Sequence, residues 1–239
     1  TYARARTRAR ARGGASDPGP IDLPPSGAIV TEHRATTWLA GHGLPIADQA
    51  VAGSADEAVE LARKIGFPVC LKLLSPQIPH RSDVGGVRLA LDGEAAVARA
   101  FDEVVAAAGD AEVEGVLVQA MAPDGQELIV SGFRDPTFGP CVLCGIGGVL
   151  AEVLSDTAIR PAPVSVDPAL EMLAELRGAE LLRGPRGTPP ADLSAAARAI
   201  GRVSQLIAAA PDDVTAIEIN PLLALPEGAL VLDALITRA

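Results

Sequence analysis

Aromatic side chains are scarce. Trp, Tyr and Phe make up 3% of the 239 residues, so any core must be packed from Ala, Val, Leu and Ile. The hydrophobic share is nevertheless 49%, ample for one large domain or two small ones. Cysteine is nearly missing. Cys70, Cys141 and Cys144 are an odd count, too few for a disulfide framework, and are expected as reduced thiols in a cytoplasmic protein. No apolar run reaches the roughly 18 residues that span a bilayer, and no signal-peptide pattern is present, so no membrane partner is expected. Positive charge is also short, with 20 Lys and Arg against 30 Asp and Glu. Five of those arginines (4, 6, 8, 10 and 12) fall within residues 1–13, where there is no acid, so the rest of the chain is more acidic than the total of −10 implies. Phosphate backbones bind to basic surfaces, which argues against nucleic acid as a partner. Two phosphate-binding signatures are absent as well: there is neither a GxxxxGK[ST] loop nor a GxGxxG fingerprint.

What is present divides unevenly. Residues 1–27, Arg-rich and then Gly, Pro and Ser rich, read as a disordered tail or linker. Residues 28–239 read as folded. Helices are expected over 31–40, with Thr31 as N-cap, and over 54–64, where Ser54 and Glu57 make a capping box. Further helices are expected over 94–107, 168–182 and 192–208. Strands are expected at 45–51, 69–74, 87–91, 115–121, 127–133, 141–146, 216–219 and 230–235. The strands at 115–121 and 127–133 read as a hairpin about Pro123-Asp124-Gly125. The elements mix without strict βαβ alternation, which favours an α+β fold over a doubly wound sheet.

Lys72 lies inside the apolar strand PVCLKLL. Lysine is almost never fully buried without a partner, so it either snorkels from a strand edge or is a cation held for an anion. The loop 75–86 (SPQIPHRSDVGG) follows. Gly85-Gly86 would let backbone N–H groups approach phosphate oxygens, and His80 and Arg81 add donors. Pro76 and Pro79 stiffen the approach to His80, and the diglycine could serve as a hinge. Glu218 and Asn220 are two apart on a strand and share a face, and Asp233 is expected on the partner strand. Such a set of hard oxygens suits Mg²⁺; spacing alone equally allows a polar edge hairpin. Cys141 and Cys144, i and i+3 on a strand, point to opposite faces and share neither a disulfide nor a metal. His33 and His42 are expected at the surface.

Five ordered stretches carry a resemblance. KLLSPQIPHRSDVGGV, GVLVQAMAPDGQELIVSGFRDPTFGP, GIGGVLAEVLSD, LLRGPRG and EINPLLALPEGALVLDA resemble the β subunit or β domain of NDP-forming acyl-CoA synthetases. The resemblance covers residues 28–236. It implies an ATP-grasp fold, two α+β lobes clasping a nucleotide, with a lid lobe over roughly 45–120 and a nucleotide and metal lobe in the remainder. It implies the reaction acyl-CoA + NDP + phosphate ⇌ acid + NTP + CoA, with ATP/ADP or GTP/GDP and Mg²⁺ as cofactors. It also implies a CoA-binding α subunit or domain carrying a phosphorylatable His, in a hetero-oligomer or a fusion. Lys72 would match the phosphate-contacting lysine, Gln119 and Met121 the segment that meets the base, and Glu127 the acid that holds the nucleotide. Asn220 and Asp233, with Glu218 beside them, would match the Mg²⁺ ligands, and His80 the histidine that passes phosphate to NDP. The sequence departs from the family pattern at Ala216 and Glu218, at Ala234 and Leu235, and at Arg81, where lysine is common. A non-catalytic or regulatory ATP-grasp module is the competing reading. Retention of His80, Lys72, Glu218, Asn220 and Asp233 together argues against it.

Overall fold

The computed structural model describes residues 29–78, 81–148 and 156–239. The tail expected over 1–27 and His80 lie outside the described residues. The chain divides into two compact units, each built from discontinuous segments. The smaller comprises Val30–Ala35 and Ala47–Pro123; the larger comprises Thr36–Ile46 and Asp124–Ala239, with Ile29.

The smaller unit is a four-stranded antiparallel sheet in the order β2-β5-β3-β4. Its strands are β2 (Gln49–Ala52), β3 (Val69–Leu74), β4 (Val87–Leu91) and β5 (Gly115–Ala120). Two helices pack on it, α2 (Ala55–Ile65) and α3 (Glu94–Ala106). Helix α2 begins at Ser54, whose Oγ accepts from the Glu57 N–H at 3.2 Å. The Glu57 carboxylate reaches back to the Gly53 N–H at 2.8 Å, closing the expected capping arrangement one residue early. Val69, Leu71 and Leu73 of β3, with Val116 and Val118 of β5, meet Ala58, Ala62, Val97, Phe101 and Val104 of the helices in one core. Alternation along β3 therefore sends Cys70, Lys72 and Leu74 to the opposite face of the sheet.

The larger unit contains a sheet in the order β1-β11-β9-β6-β7-β8, with β10 also paired to β9. The strands are β1 (Ile29–Val30), β6 (Gln126–Asp135), β7 (Gly139–Ile146), β8 (Thr157–Pro161), β9 (Val214–Ala224), β10 (Ala229–Val231) and β11 (Ala234–Arg238). Helix α4 (Val166–Glu175) and the single-turn α5 (Ala179–Leu182) replace the one helix expected over 168–182, because the chain turns extended at Leu176. Asp156 holds that break: its carboxylate accepts from the N–H groups of Arg177 at 2.8 Å and Gly178 at 2.7 Å. The long helix α6 (Leu193–Ala209) starts on Asp192, whose carboxylate accepts from Ala195 N–H. It lies on the sheet so closely that a Cβ at Gly132 would stand 2.9 Å from Ile207. Helix α1 (Glu32–Gly41) has its first turn in the smaller unit and the rest in the larger.

The expected hairpin about Pro123-Asp124-Gly125 does not form. β5 pairs with β2 and β3, whereas β6 pairs with β7 and β9, so the turn joins two different sheets. Its turn residues were read correctly, but the partners are chosen by burial: the buried run of β5 is satisfied within the smaller core. The adjacent hairpin is instead β6–β7, turned by Asp135, whose carboxylate accepts from Thr137 and Phe138 N–H, and by Gly139 at φ +74°. β9 runs five residues beyond the expected end at Ile219, and the strand expected over 230–235 is split at Leu232-Asp233. β8 was not expected at all.

Candidate functional site

Lys72 is central on β3, between Leu117 of β5 and Val87 of β4. Its side chain is 11% exposed, and Nζ donates to Glu32 Oε1 at 2.7 Å. The other carboxylate oxygen of Glu32 accepts from Arg81 Nη1. Glu32 is 1% exposed and Arg81 12%. Lys72 is thus no strand-edge snorkeller. It belongs to a nearly buried triad in which two cations share one carboxylate, and cationic donors held in place in this way suit a phosphate oxygen.

Arg81 also closes the turn that follows it. Gly86 N–H donates to Arg81 O at 2.8 Å, Gly85 N–H to Ser82 O at 3.2 Å, and Leu73 N–H to Gly86 O at 2.8 Å. Both glycine amides are therefore engaged inside the turn. A Cβ at Gly86 would stand 3.1 Å from both Arg81 O and Leu73 Cβ, so close packing, rather than hinge freedom, is what Gly86 serves here.

Gln119 is 2% exposed. It pairs in register with Gln49 and Cys70, donates to Gln49 Oε1 at 2.8 Å, and lies 3.7 Å from Cys70 Sγ. Met121 follows, its N–H bonded to Pro68 O at 3.1 Å. Burial pushes the Cys70 thiol up, more than nearby Lys72 lowers it. All three cysteines are free and buried.

In the larger unit, α6 covers one face of the sheet. Along β9, Glu218 and Asn220 are exposed between buried Ile217 and Ile219, the shared face that the alternation predicts. Glu218 stands opposite Ser131 of β6 and Leu235 of β11. Asp233 lies in the two-residue gap between β10 and β11, and its carbonyl accepts from Asn220 N–H at 3.2 Å. Glu127 is exposed near the start of β6, and its carbonyl accepts from Gly147 N–H at 2.7 Å. Side chains at Gly147 and Gly148 would collide with Glu127, at 2.9 Å from its carbonyl carbon and 3.2 Å from its Oε2. Among the described residues no three His, Cys, Asp or Glu side chains converge as a metal cluster. Glu218 and Asn220 share one exposed face of β9, and Asp233 joins Asn220 through the backbone; these are hard oxygen donors of the kind Mg²⁺ takes, its remaining positions going to phosphate oxygens and water. The chemistry such an ion supplies is charge neutralisation on phosphate.

The two other histidines are not plain surface residues. His42 is half-buried, its Nδ1 2.8 Å from Trp38 O and its ring 4.3 Å from the indole. His33 is half-buried too, and burial holds its pKa down. The residue that the sequence reading missed is Glu32. The available signal was the requirement that Lys72, in a buried strand, have an acidic partner; nothing in the sequence said which of the 30 acids it would be.

With the geometry described, comparison with known proteins defines the class. A family model described as "ATP-grasp domain" matches residues 25–237, and the chain belongs to that family. Within it the relatives are β subunits and β domains of ADP-forming acyl-CoA ligases. The chain is 37% identical over 209 residues to the acetate–CoA ligase [ADP-forming] I subunit beta of Pyrococcus furiosus, covering 86% of this chain and 90% of that subunit. It is 41% identical over 212 residues to acetate–CoA ligase [ADP-forming] I of Archaeoglobus fulgidus, covering 87% of this chain but 31% of that protein. The chain therefore spans most of a separate β subunit and about a third of a single-chain ligase. A solved structure of the dinucleotide forming acetyl-coenzyme A synthetase 1 of Ca. Korarchaeum cryptofilum, in complex with coenzyme A, Ca-AMPCP and HgCl⁺, matches at TM-score 0.86 and 36% identity over 100% of both chains. Another structure of that protein, with coenzyme A and Mg-AMPPCP, has its phosphohistidine segment pointing towards the nucleotide binding site, and matches at TM-score 0.79 and 34% identity over 100% of both chains. The expected family and the ATP-grasp α+β fold are both borne out.

Proposed function

We propose that this chain performs the nucleotide half of an NDP-forming acyl-CoA synthetase reaction, in the cytoplasm, with a CoA-binding α subunit or domain as partner. A phosphoryl group arrives on a histidine nitrogen. The P–N bond breaks, a P–O bond forms to the terminal phosphate of NDP, and the imidazole, taking up one proton as it leaves, is returned neutral with NTP as product. Over the full cycle, acyl-CoA, NDP and phosphate become acid, NTP and CoA.

The observation that carries this reading is the nearly buried Glu32–Lys72–Arg81 triad, in which one carboxylate holds two cations, one of them Arg81, the residue that follows His80 in the sequence. Phosphoryl transfer depends on positioning and charge neutralisation more than on covalent chemistry by the protein. Lys72 supplies the cation, and Glu127, Glu218, Asn220 and Asp233 supply hard oxygens for the nucleotide and Mg²⁺. Gln119 and Met121 belong to the base-contacting segment. Neutral imidazole is a competent carrier near pH 7, whereas lysine, protonated there with a free pKa of about 10.4, is a poor nucleophile.

The test is to combine the chain with an α partner, acyl-CoA, phosphate and Mg·ADP, and to follow thioester cleavage and base-stable, acid-labile label on this chain. His80→Ala and His80→Lys are both expected to lose transfer while nucleotide affinity stays within a few-fold. Label found only on the partner, or substantial activity in His80→Lys, overturns the carrier role.

A further inference from the structure

Glu32 is the one carboxylate of the triad, 1% exposed, and sits outside every motif that marks the site. Its helix turn is held from the other side as well. Thr31 Oγ1 donates to Glu114 Oε2 at 2.8 Å, and Arg34 lies 3.4 Å from Glu114 Oε1. With that turn fixed, the two oxygens of Glu32 are divided between two partners: Oε1 takes Lys72, and Oε2 takes Arg81. Arg81 is held by its main chain too, through Gly86 N–H, and Gly86 O in turn accepts from Leu73, the residue after Lys72. A closed circuit results, running Glu32, Lys72, Leu73, Gly86, Arg81 and back to Glu32.

We propose that Glu32 is a positioning residue for phosphoryl transfer, with one carboxylate setting both the ammonium of Lys72 and the guanidinium of Arg81, the residue that follows His80 in the sequence. The inference rests on the functional reading above. The chemistry follows from the donor count. An ammonium has three N–H donors, so Lys72 keeps Glu32 while offering others to a phosphate oxygen. Arg81 spends its Nη1 on the same carboxylate, so neither cation can move without a change at the other's partner. A carboxylate is needed because it accepts on both oxygens. The amide of Glu32→Gln has one acceptor and one donor group and can satisfy only one of the two cations. Lys72, set in the middle of a strand, keeps the oxygen, and Arg81, in a turn, loses its carboxylate and is left with weaker contacts such as that of Nη1 with Leu73 O at 3.5 Å.

The experiment pairs hydrogen exchange with steady-state kinetics. In Glu32→Gln, amide exchange across residues 81–87 is expected to rise at least tenfold, while exchange in Gly115–Ala120 and Ala55–Ile65 stays unchanged. With the α partner, kcat for transfer is expected to fall at least thirtyfold and KM for ADP to move less than threefold. Arg81→Met breaks the same link without touching the Lys72–Glu32 pair, and should reproduce both effects. It carries the test should Glu32→Gln fail to fold. Arg81→Lys, which keeps a cation, should restore transfer to within about fivefold of wild type. Unchanged exchange at 81–87 in Arg81→Met, exchange raised equally throughout the smaller unit, or wild-type kcat in Arg81→Met each overturn the proposal. The exchange arm needs neither nucleotide nor partner. A wild-type chain that transfers nothing therefore condemns the functional reading, while the anchoring of Arg81 is judged separately by exchange.

Discussion

A lysine in the middle of an apolar strand is the feature from which the site grows. Burial would discharge it or expel it were Glu32 not 2.7 Å away. Because Arg81 shares that carboxylate, removal of Lys72 does not strand a lone anion. Lys72→Met is therefore expected to fold and to weaken Mg·ADP binding by about 1.5–3 kcal/mol, roughly one to two decades in Kd, the value of a charge-assisted bond. Titration calorimetry on the purified chain checks it, and an unchanged Kd would remove Lys72 from the site. At this scale the sequence was informative about kind and poor about partners. Lys72 announced itself by its surroundings, and Glu218 and Asn220 by their spacing of two. Glu32 gave no such signal, because its partners lie 40 and 49 residues away and no local pattern records a contact of that range. The thiols behaved as the composition suggested, and burial pushes Cys144 up to about 12.

Elements were legible where one period and one boundary signal agreed. β3 and β4 have the expected ends, and α2, α3 and α6 are within a residue or two of theirs. Pairing was less legible. β5 and β6 look like neighbours in sequence and belong to different sheets, because a turn reports where the chain bends and not which edge it then meets. Asp156 and Asp192 show how the less regular boundaries are held, and they titrate accordingly. Burial works to raise the Asp156 carboxyl, but the N–H groups of Gly178 and Arg177 and the Arg177 guanidinium together hold it below its ordinary value. The N–H groups of Ala195 and Gly228 lower Asp192. Both ionise at lower pH in the folded chain than in the unfolded one, where aspartate titrates near about 3.9. Their contribution is thus complete above that pH and is lost as pH falls through the folded values. Thermal melts are expected to drop steeply below about pH 4. Asp156→Asn should melt roughly 3–6 °C lower at pH 7, the equivalent of one charge-assisted bond of about 1.5 kcal/mol, with the gap to wild type narrowing as pH falls below the unfolded value. A gap that stays constant over that fall would show that ionisation of Asp156 is not what holds the break between α4 and α5.

At the scale of the whole molecule, two compact units give two places where unfolding can begin, and a ligand that binds only the folded state raises the stability of what it binds. Mg·ADP at a hundred times its Kd is expected to stabilise the chain by about 2.7 kcal/mol, read as a rise in melting temperature that shrinks in Lys72→Met, to the equivalent of about 0.4–1.4 kcal/mol, at the same concentration. Equal shifts in the two proteins would mean that the nucleotide is held elsewhere. The division itself has a bearing on inheritance. The stretch 47–123 looks like a portable module, with its own sheet and both of its helices, yet the carboxylate that balances Lys72 and Arg81 enters from residue 32, on the short segment Val30–Ala35. Recombination at the obvious junctions would carry the cations away and leave their acid behind. Genes for such units should therefore exchange successfully only when the segment 30–35 travels with them, so that six residues decide whether a shuffled lobe arrives with its electrostatics intact.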